Sequence, residues 1–214
     1  MEDLGFFAKN RKAIVNCIIV VLVIVVGVIV ALSVLEMSNK SAISKLELLV
    51  TRYDEVKGSF ADAETSENAE LDSLANDLKE FGEKNRFYPA ARAFIMASEI
   101  YKSKKQWSQA QESFEAAAKK GKNTHIEAVS LFNAAVAAEE QDKMEDAAKL
   151  YERSASFADF SGASHALFSL GRIKETSGDK EAALSIYRDL STKWPSSAWA
   201  DLAMTKILAL EIAK

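Results

Sequence analysis

Helix breakers and cross-links are scarce in this chain. Two prolines and eight glycines in 214 residues leave little to interrupt helices, so a mostly helical fold is expected. There is one cysteine, Cys17, and it lies inside an apolar block, so the rest of the chain can form no disulfide and gives no clue to redox compartment. Positive charge is in short supply too. The formal net charge is −4, and a mildly acidic chain has no long-range field to attract polyanions, which argues against nucleic-acid binding. Histidine occurs twice, at His125 and His165, with no HxxE or ExxH spacing around either, so a helical metal site is not expected. There is no phosphate-binding glycine loop, no GxGxxG and no GxSxG. Carboxylate pairs such as Glu139-Glu140 have the spacing of ordinary solvated helix faces. Neither an enzyme nor a cofactor is expected.

What the chain has in abundance is aliphatic residues, unevenly spread. Residues 13–35 carry no charge, and seventeen of these 23 are Ile, Val or Leu. As a helix the run spans about 34 Å, against a hydrocarbon core of about 30 Å. In lipid only a helix satisfies its own backbone polar groups, so β-branched content does not argue for a strand there. A transmembrane helix over 13–35 is therefore expected, after a short tail at 1–12. A cleavable signal is disfavoured, because the run is long and exits through Ser33-Val34-Leu35-Glu36-Met37 without a small-x-small site. A lipoprotein signal would place its cysteine after the run, not near its start. Lys9, Arg11 and Lys12 crowd the N-terminal edge, whereas Lys40 and Lys45 beyond the far edge are sparser and near acids. That bias predicts a cytoplasmic N-terminus and an exported C-terminal domain.

Beyond the apolar run, Ile43, Leu46, Leu49, Val50, Tyr53 and Val56 keep helical spacing over residues 36–57, either prolonging the membrane helix or opening the soluble part. Residues 57–69 are polar and acidic and read as a loop. Leu71, Leu74, Leu78 and Phe81 mark an amphipathic helix over 70–84. From Tyr88 onward the chain repeats. Phe114, Tyr151 and Tyr187 are spaced by 37 and 36 residues, and each follows an alanine by four: Ala110, Ala147 and Ala183. Twenty residues before each aromatic stand Phe94, Leu131 and Leu167; sixteen before stand the small residues Ser98, Ala135 and Gly171. Polar turns separate the halves. The unit is a helical hairpin used three times (88–122, 123–160, 161–196), with small residues where two axes approach. One hairpin cannot bury its apolar face, but a stack can. Residues 197–214 read as a capping helix, and 36–87 as a degenerate earlier unit with Phe81 as its aromatic and Pro89 closing it.

This pattern resembles the tetratricopeptide repeat (TPR) family. Leu167, Leu170, Gly171, Ala183, Tyr187 and Pro195 stand at its signature positions; Lys174 and Leu190 depart from it, and Lys122 and Asp159 replace the closing proline in the first two units. Those two units also exceed the family period of about 34 residues. The resemblance implies an all-α solenoid whose first helices line a groove. By position that groove would take Arg92, Ile95 and Glu99; Val129, Phe132, Val136 and Glu139; His165, Phe168, Arg172 and Glu175; then Trp199 and Leu202 from the cap. Such a mixed surface suits helices or extended peptides with apolar anchors, although Phe132 and Phe168 stand next to core positions and packing is their other reading. Val136 and Arg172 replace the asparagines of a clamp for acidic chaperone tails, so that ligand is not expected.

The tail Gly5-Phe6-Phe7-Ala8-Lys9-Asn10-Arg11-Lys12, the single apolar helix and the opening Tyr88-Pro89-Ala90-Ala91-Arg92-Ala93 are similar to the YfgM-like ancillary subunits of the bacterial SecYEG translocon, related to CpoB-type proteins. That resemblance implies an inner-membrane protein with a periplasmic TPR domain that meets translocon components or exported proteins in a chaperone-like role. A scaffold for envelope assembly or division, or a self-associating homo-oligomer, is the alternative.

Overall fold

In the computed structural model, the described residues are 3–58 and 69–212, and among them every regular element is helical. The expected loop at 57–69 falls almost wholly outside them. The chain divides into two compact units, Met1–Lys45 and Leu46–Lys214.

The first unit is a single helix, the start of α1 (Asp3–Val56). Its apolar side chains are exposed, from Val15 to Leu35. By length and composition the helix is able to cross a membrane; its N-terminal position is also that of a signal sequence. Helix α1 starts at Asp3 and continues without a break past Leu35, because residues 36–56 keep helical spacing and contain neither Gly nor Pro.

Among the described residues the second unit contains the end of α1 and eight further helices: α2 (Ala69–Lys84), α3 (Phe87–Ser103), α4 (Trp107–Lys120), α5 (His125–Glu139), α6 (Met144–Ala155), α7 (Ala163–Thr176), α8 (Lys180–Lys193) and α9 (Ala198–Ile212). Each packs mainly on its neighbours in sequence, the nearest-neighbour logic of a solenoid. Hairpins α3–α4, α5–α6 and α7–α8 are the three expected repeats, and α9 covers the last. The repeating alanines Ala110, Ala147 and Ala183 are fully buried, and Phe114, Tyr151 and Tyr187 nearly so. Burying each large side chain stabilises the stack by roughly 1.5–3 kcal/mol. Leu46, Tyr53 and Val56 from α1 join Leu71, Leu74 and Leu78 of α2 in the same core, and Arg52 pairs with Asp77 at 2.6 Å.

The three hairpins also turn alike. A backbone N–H donates to the carbonyl five residues back in each: Gln106 to Tyr101 (2.9 Å), Lys143 to Ala138 (3.0 Å) and Asp179 to Lys174 (3.0 Å). The residue before each donor is left-handed: Lys105, Asp142 and Gly178, with φ of 52°, 58° and 86°. This is the Schellman closure of a helix, and Gly178 takes that conformation without a Cβ penalty. At Gly171 a different constraint acts. An added Cβ would lie 2.5 Å from Cε1 of Tyr187, so the small residue is what lets α7 and α8 approach.

Candidate functional site

Helices α3, α5 and α7 are the first members of their hairpins and α9 follows the last; of the residues expected to line a groove, those on α5, α7 and α9 meet one another through ring contacts and ion pairs. Arg92, Ile95 and Glu99 of α3 are all half-buried; the guanidinium of Arg92 lies 3.8 Å from Glu47 of α1, and Glu99 pairs with Lys102 at 2.7 Å. On α5, Phe132, Val136 and Glu139 are half-buried while Val129 stays 39% exposed. On α7, His165, Phe168, Arg172 and Glu175 are half-buried, as is Trp199 at the start of α9; Leu202 is exposed.

Two ladders tie these side chains together. One is aromatic. Phe132 lies 4.9 Å from the His165 ring, and His165 stacks on Trp199 at 3.7 Å with 7° between the planes. Phe168 packs 5.3 Å from Trp199 and 5.7 Å from Tyr187. Rings from α5, α7 and α9 thus form a continuous strip. The other ladder is ionic. Glu139 accepts from its own hairpin's Tyr151 hydroxyl (3.1 Å) and from Arg172 of the next hairpin (2.5 Å). Glu175 repeats the arrangement, accepting from Tyr187 (2.9 Å) and from Lys206 (3.0 Å). Each carboxylate is a joint between one repeat and the next.

The electrostatics follow from this packing. Burial, followed by Glu139, pushes the Tyr151 phenol well above its usual range. Burial and the hydrogen bond to Glu175 do the same for Tyr187. His165 is held below its ordinary 6.5 by burial and then by the Arg172 guanidinium, against the opposing pull of Glu139. At neutral pH the stacked ring is therefore neutral and behaves as an aromatic surface. His125, in contrast, is exposed at the start of α5. Among the described residues no group of His, Cys, Asp and Glu is placed to hold a metal ion.

Packing claims much of the expected groove. Phe132, Val136 and Phe168 all rest against buried core clusters, the second of the two readings open to the phenylalanines. Open space lies beside the strip instead. A cleft of about 590 Å³ runs between the start of α5 (Asn123, Thr124, His125, Ala128, Val129) and the α6–α7 connection (Phe157–Ser161). It adjoins the aromatic strip through Phe160, 6.0 Å from Phe132. Thr124 shapes its rim: its hydroxyl donates to the Gly121 carbonyl (2.6 Å) and accepts from the Ile126 N–H (3.2 Å), capping α5. Phe157 and Phe160 line the cleft but follow no helical spacing in the sequence. The signal was present, since two aromatics sit in a connection longer than the repeat norm. Of the residues expected to line a groove, Val129 borders this cleft. The arrangement offers apolar and aromatic surface beside an open recess, which is suited to receiving an apolar side chain of another polypeptide.

Comparison with known proteins agrees with this architecture. The family model described as soluble NSF attachment protein, SNAP, matches residues 60–208. A TPR repeat-containing protein of Treponema pallidum (strain Nichols) is 34% identical over 125 residues, which is 58% of this chain and 52% of the relative; the chain thus spans about half the length of that curated relative. Among solved structures, the kinesin light chain TPR-like repeats of Podosopora anserina superpose with a TM-score of 0.54 at 11% identity, over 78% of this chain and 87% of that one. At such identity the likeness concerns the fold alone.

Proposed function

The chain belongs to the soluble NSF attachment protein (SNAP) family of TPR-like helical repeats, and from this we propose that it is a membrane-tethered, non-catalytic module whose first-helix face binds another polypeptide. TPR-type repeats generally mediate protein–protein interactions. The observation that carries the reading is the aromatic strip Phe132–His165–Trp199 opening beside Phe160 into the 590 Å³ cleft. Side chains at Val129 and Leu202 stay exposed on that face, where a partner's apolar residues would be desolvated.

The uncharged run at 13–35 supplies the tether, with the N-terminus cytoplasmic and the repeats exported across a bacterial inner membrane. Tethering raises the local concentration of the binding face at the bilayer without added contacts. Within this class a translocon-associated, chaperone-like role toward exported segments fits best: the recess suits apolar side chains, which such segments expose before folding. The end of α1 with α2 acts as a degenerate first unit of the stack, as their shared core of Leu46, Tyr53, Leu71, Leu74 and Leu78 supports.

Photocrosslinking in cells tests the binding face. A benzophenone amino acid at Val129 is expected to capture partner polypeptides, and one at the exposed Glu152 of α6 is not. Equal capture from both positions would refute the assignment.

A further inference from the structure

The second unit has two edges of unlike chemistry. Turns within hairpins form one edge and turns between hairpins form the other. Gln141, in the α5–α6 turn, donates to the Trp107 carbonyl at the start of α4 (3.2 Å). On the opposite edge Lys120, at the end of α4, donates to the Asn85 carbonyl in the α2–α3 turn (2.6 Å). The first edge is acidic in its second and third turns, with Glu140, Asp142, Glu145, Asp146, Asp179 and Glu181 against Lys143 and Lys180.

At the α2–α3 turn the second edge is different. Phe87 is 61% exposed and Tyr88 49%, two adjacent aromatics facing outward. Phe87 also adopts a left-handed backbone, φ 57°. The other left-handed positions among the described residues hold Lys105, Asn123, Asp142 and Gly178; a bulky aromatic there is a genuine outlier. A strained residue that is also exposed gains nothing from core packing, and such residues concentrate at functional surfaces. Arg86 precedes the pair in sequence, and Lys120, with Lys119 next to it, reaches the same turn from the end of α4. Arg86, Lys119 and Lys122 are all exposed. Arg86 and Lys119 are near enough to Lys120 to push its ammonium below its usual range, behind burial and against Glu83. Acids are present as well: Glu83 beside Lys120, and Glu115 and Glu127 sharing a shallow recess with Lys119, Lys122 and Arg153. Lys84 is engaged by Glu80. The local balance is nonetheless positive in a chain of net charge −4.

The chain also enters this unit close to the pair. Glu47 lies beside Arg92, one helical turn along α3 from Tyr88.

We propose that the Phe87–Tyr88 pair and its neighbouring cations dock the repeat unit on an anionic lipid surface. Aromatic rings favour the headgroup level of a bilayer, and lysines and arginines gain from anionic lipids within a Debye length. The acidic α5–α6 and α7–α8 turns on the other edge would be repelled from the same surface. The cleft lies on the docked edge, at the α5 and α7 starts. This inference rests on the proposed tether.

Lipid-specific quenching tests it on the full chain in nanodiscs containing phosphatidylglycerol. In a Cys17→Ser background, an environment-sensitive nitrobenzoxadiazole label is placed through Glu83→Cys, Glu140→Cys or Ile24→Cys. Lipids brominated near the headgroup should quench the label at 83 at least twofold and leave that at 140 unchanged. Adding Phe87→Ser and Tyr88→Ser should abolish the effect at 83. Quenching at 24, read with lipids brominated along the acyl chain, reports the tether independently. Quenching at 24 without quenching at 83 would overturn the docking alone; absence at both would overturn tether and docking. A label at 83 shielded from aqueous iodide yet unquenched by lipid would mean a protein covers the edge, and would also overturn it.

Discussion

Gly171→Ala places a methyl group 2.5 Å from Cε1 and 2.9 Å from Cδ1 of Tyr187. Real carbon contacts lie nearer about 3.5–4.0 Å, so α7 or the ring must move by about 1 Å. The ring has little freedom, because Tyr187 is fully buried and its hydroxyl is fixed to Glu175 at 2.9 Å. Overpacking of this kind costs about 1–3 kcal/mol, and a ring held at both its face and its hydroxyl places this site in the upper part of that range, about 2–3 kcal/mol. Helix propensity opposes it, since Ala is better than Gly by about 1 kcal/mol in a helix interior. The net expectation is destabilisation by about 1–2 kcal/mol, or roughly 2–8 °C in Tm for a domain of this size. Thermal unfolding of the full chain in nanodiscs, followed by tryptophan fluorescence, reads it, because Trp194 and Trp199 flank the α8–α9 junction. In a Tyr187→Leu background the same substitution should cost much less, since the clash partner is gone. A Gly171→Ala variant as stable as the parent, or more so, would refute the close-approach reasoning.

Two further expectations concern buried polar groups. His165 has its pKa depressed in the folded chain below the ordinary 6.5, so below that pH the unfolded chain binds a proton that the folded chain does not, and stability falls as pH drops from neutrality through 6.5. His165→Phe should lose less stability than the parent between about pH 7.5 and pH 5.5, measured by Tm; an identical loss contradicts the burial of a neutral ring. The hydroxyls of Ser113 and Ser130 are buried without a hydrogen-bond partner among the described residues. Ser130→Ala should therefore be neutral or stabilising by up to about 1 kcal/mol in the same assay, and a loss above about 1 kcal/mol would reveal a hydrogen bond there.

Most of the fold could be read from periodicity. The Ala–x3–aromatic pairs mark where second helices bury their faces, and Gly171 marks a close crossing, because both are local consequences of packing at fixed helical spacing. The repeat period also carried the three hairpins and the covering helix α9. What spacing does not carry is the offset of one hairpin on the next. That offset stacks His165 on Trp199 and joins Arg172 to Glu139, pairings between residues 34 and 33 apart in sequence whose contact depends on helix crossing angles. The cleft was hidden for a related reason. Its walls come from the α6–α7 connection, where Phe157 and Phe160 follow no helical period, and the irregular length of that connection was the one hint. Continuation of α1 through residues 36–56 was open in the sequence, since the same apolar spacing serves a prolonged helix and a new one.

Binding at the first-helix face is the claim on which the functional account depends. Once a partner has been captured from Val129, its affinity for the full chain in nanodiscs should fall at least tenfold on Val129→Glu, which sets a charge at the cleft mouth while leaving the buried core intact, and should be unchanged by Glu152→Gln on α6. Equal affinity for the parent and Val129→Glu would contradict the account.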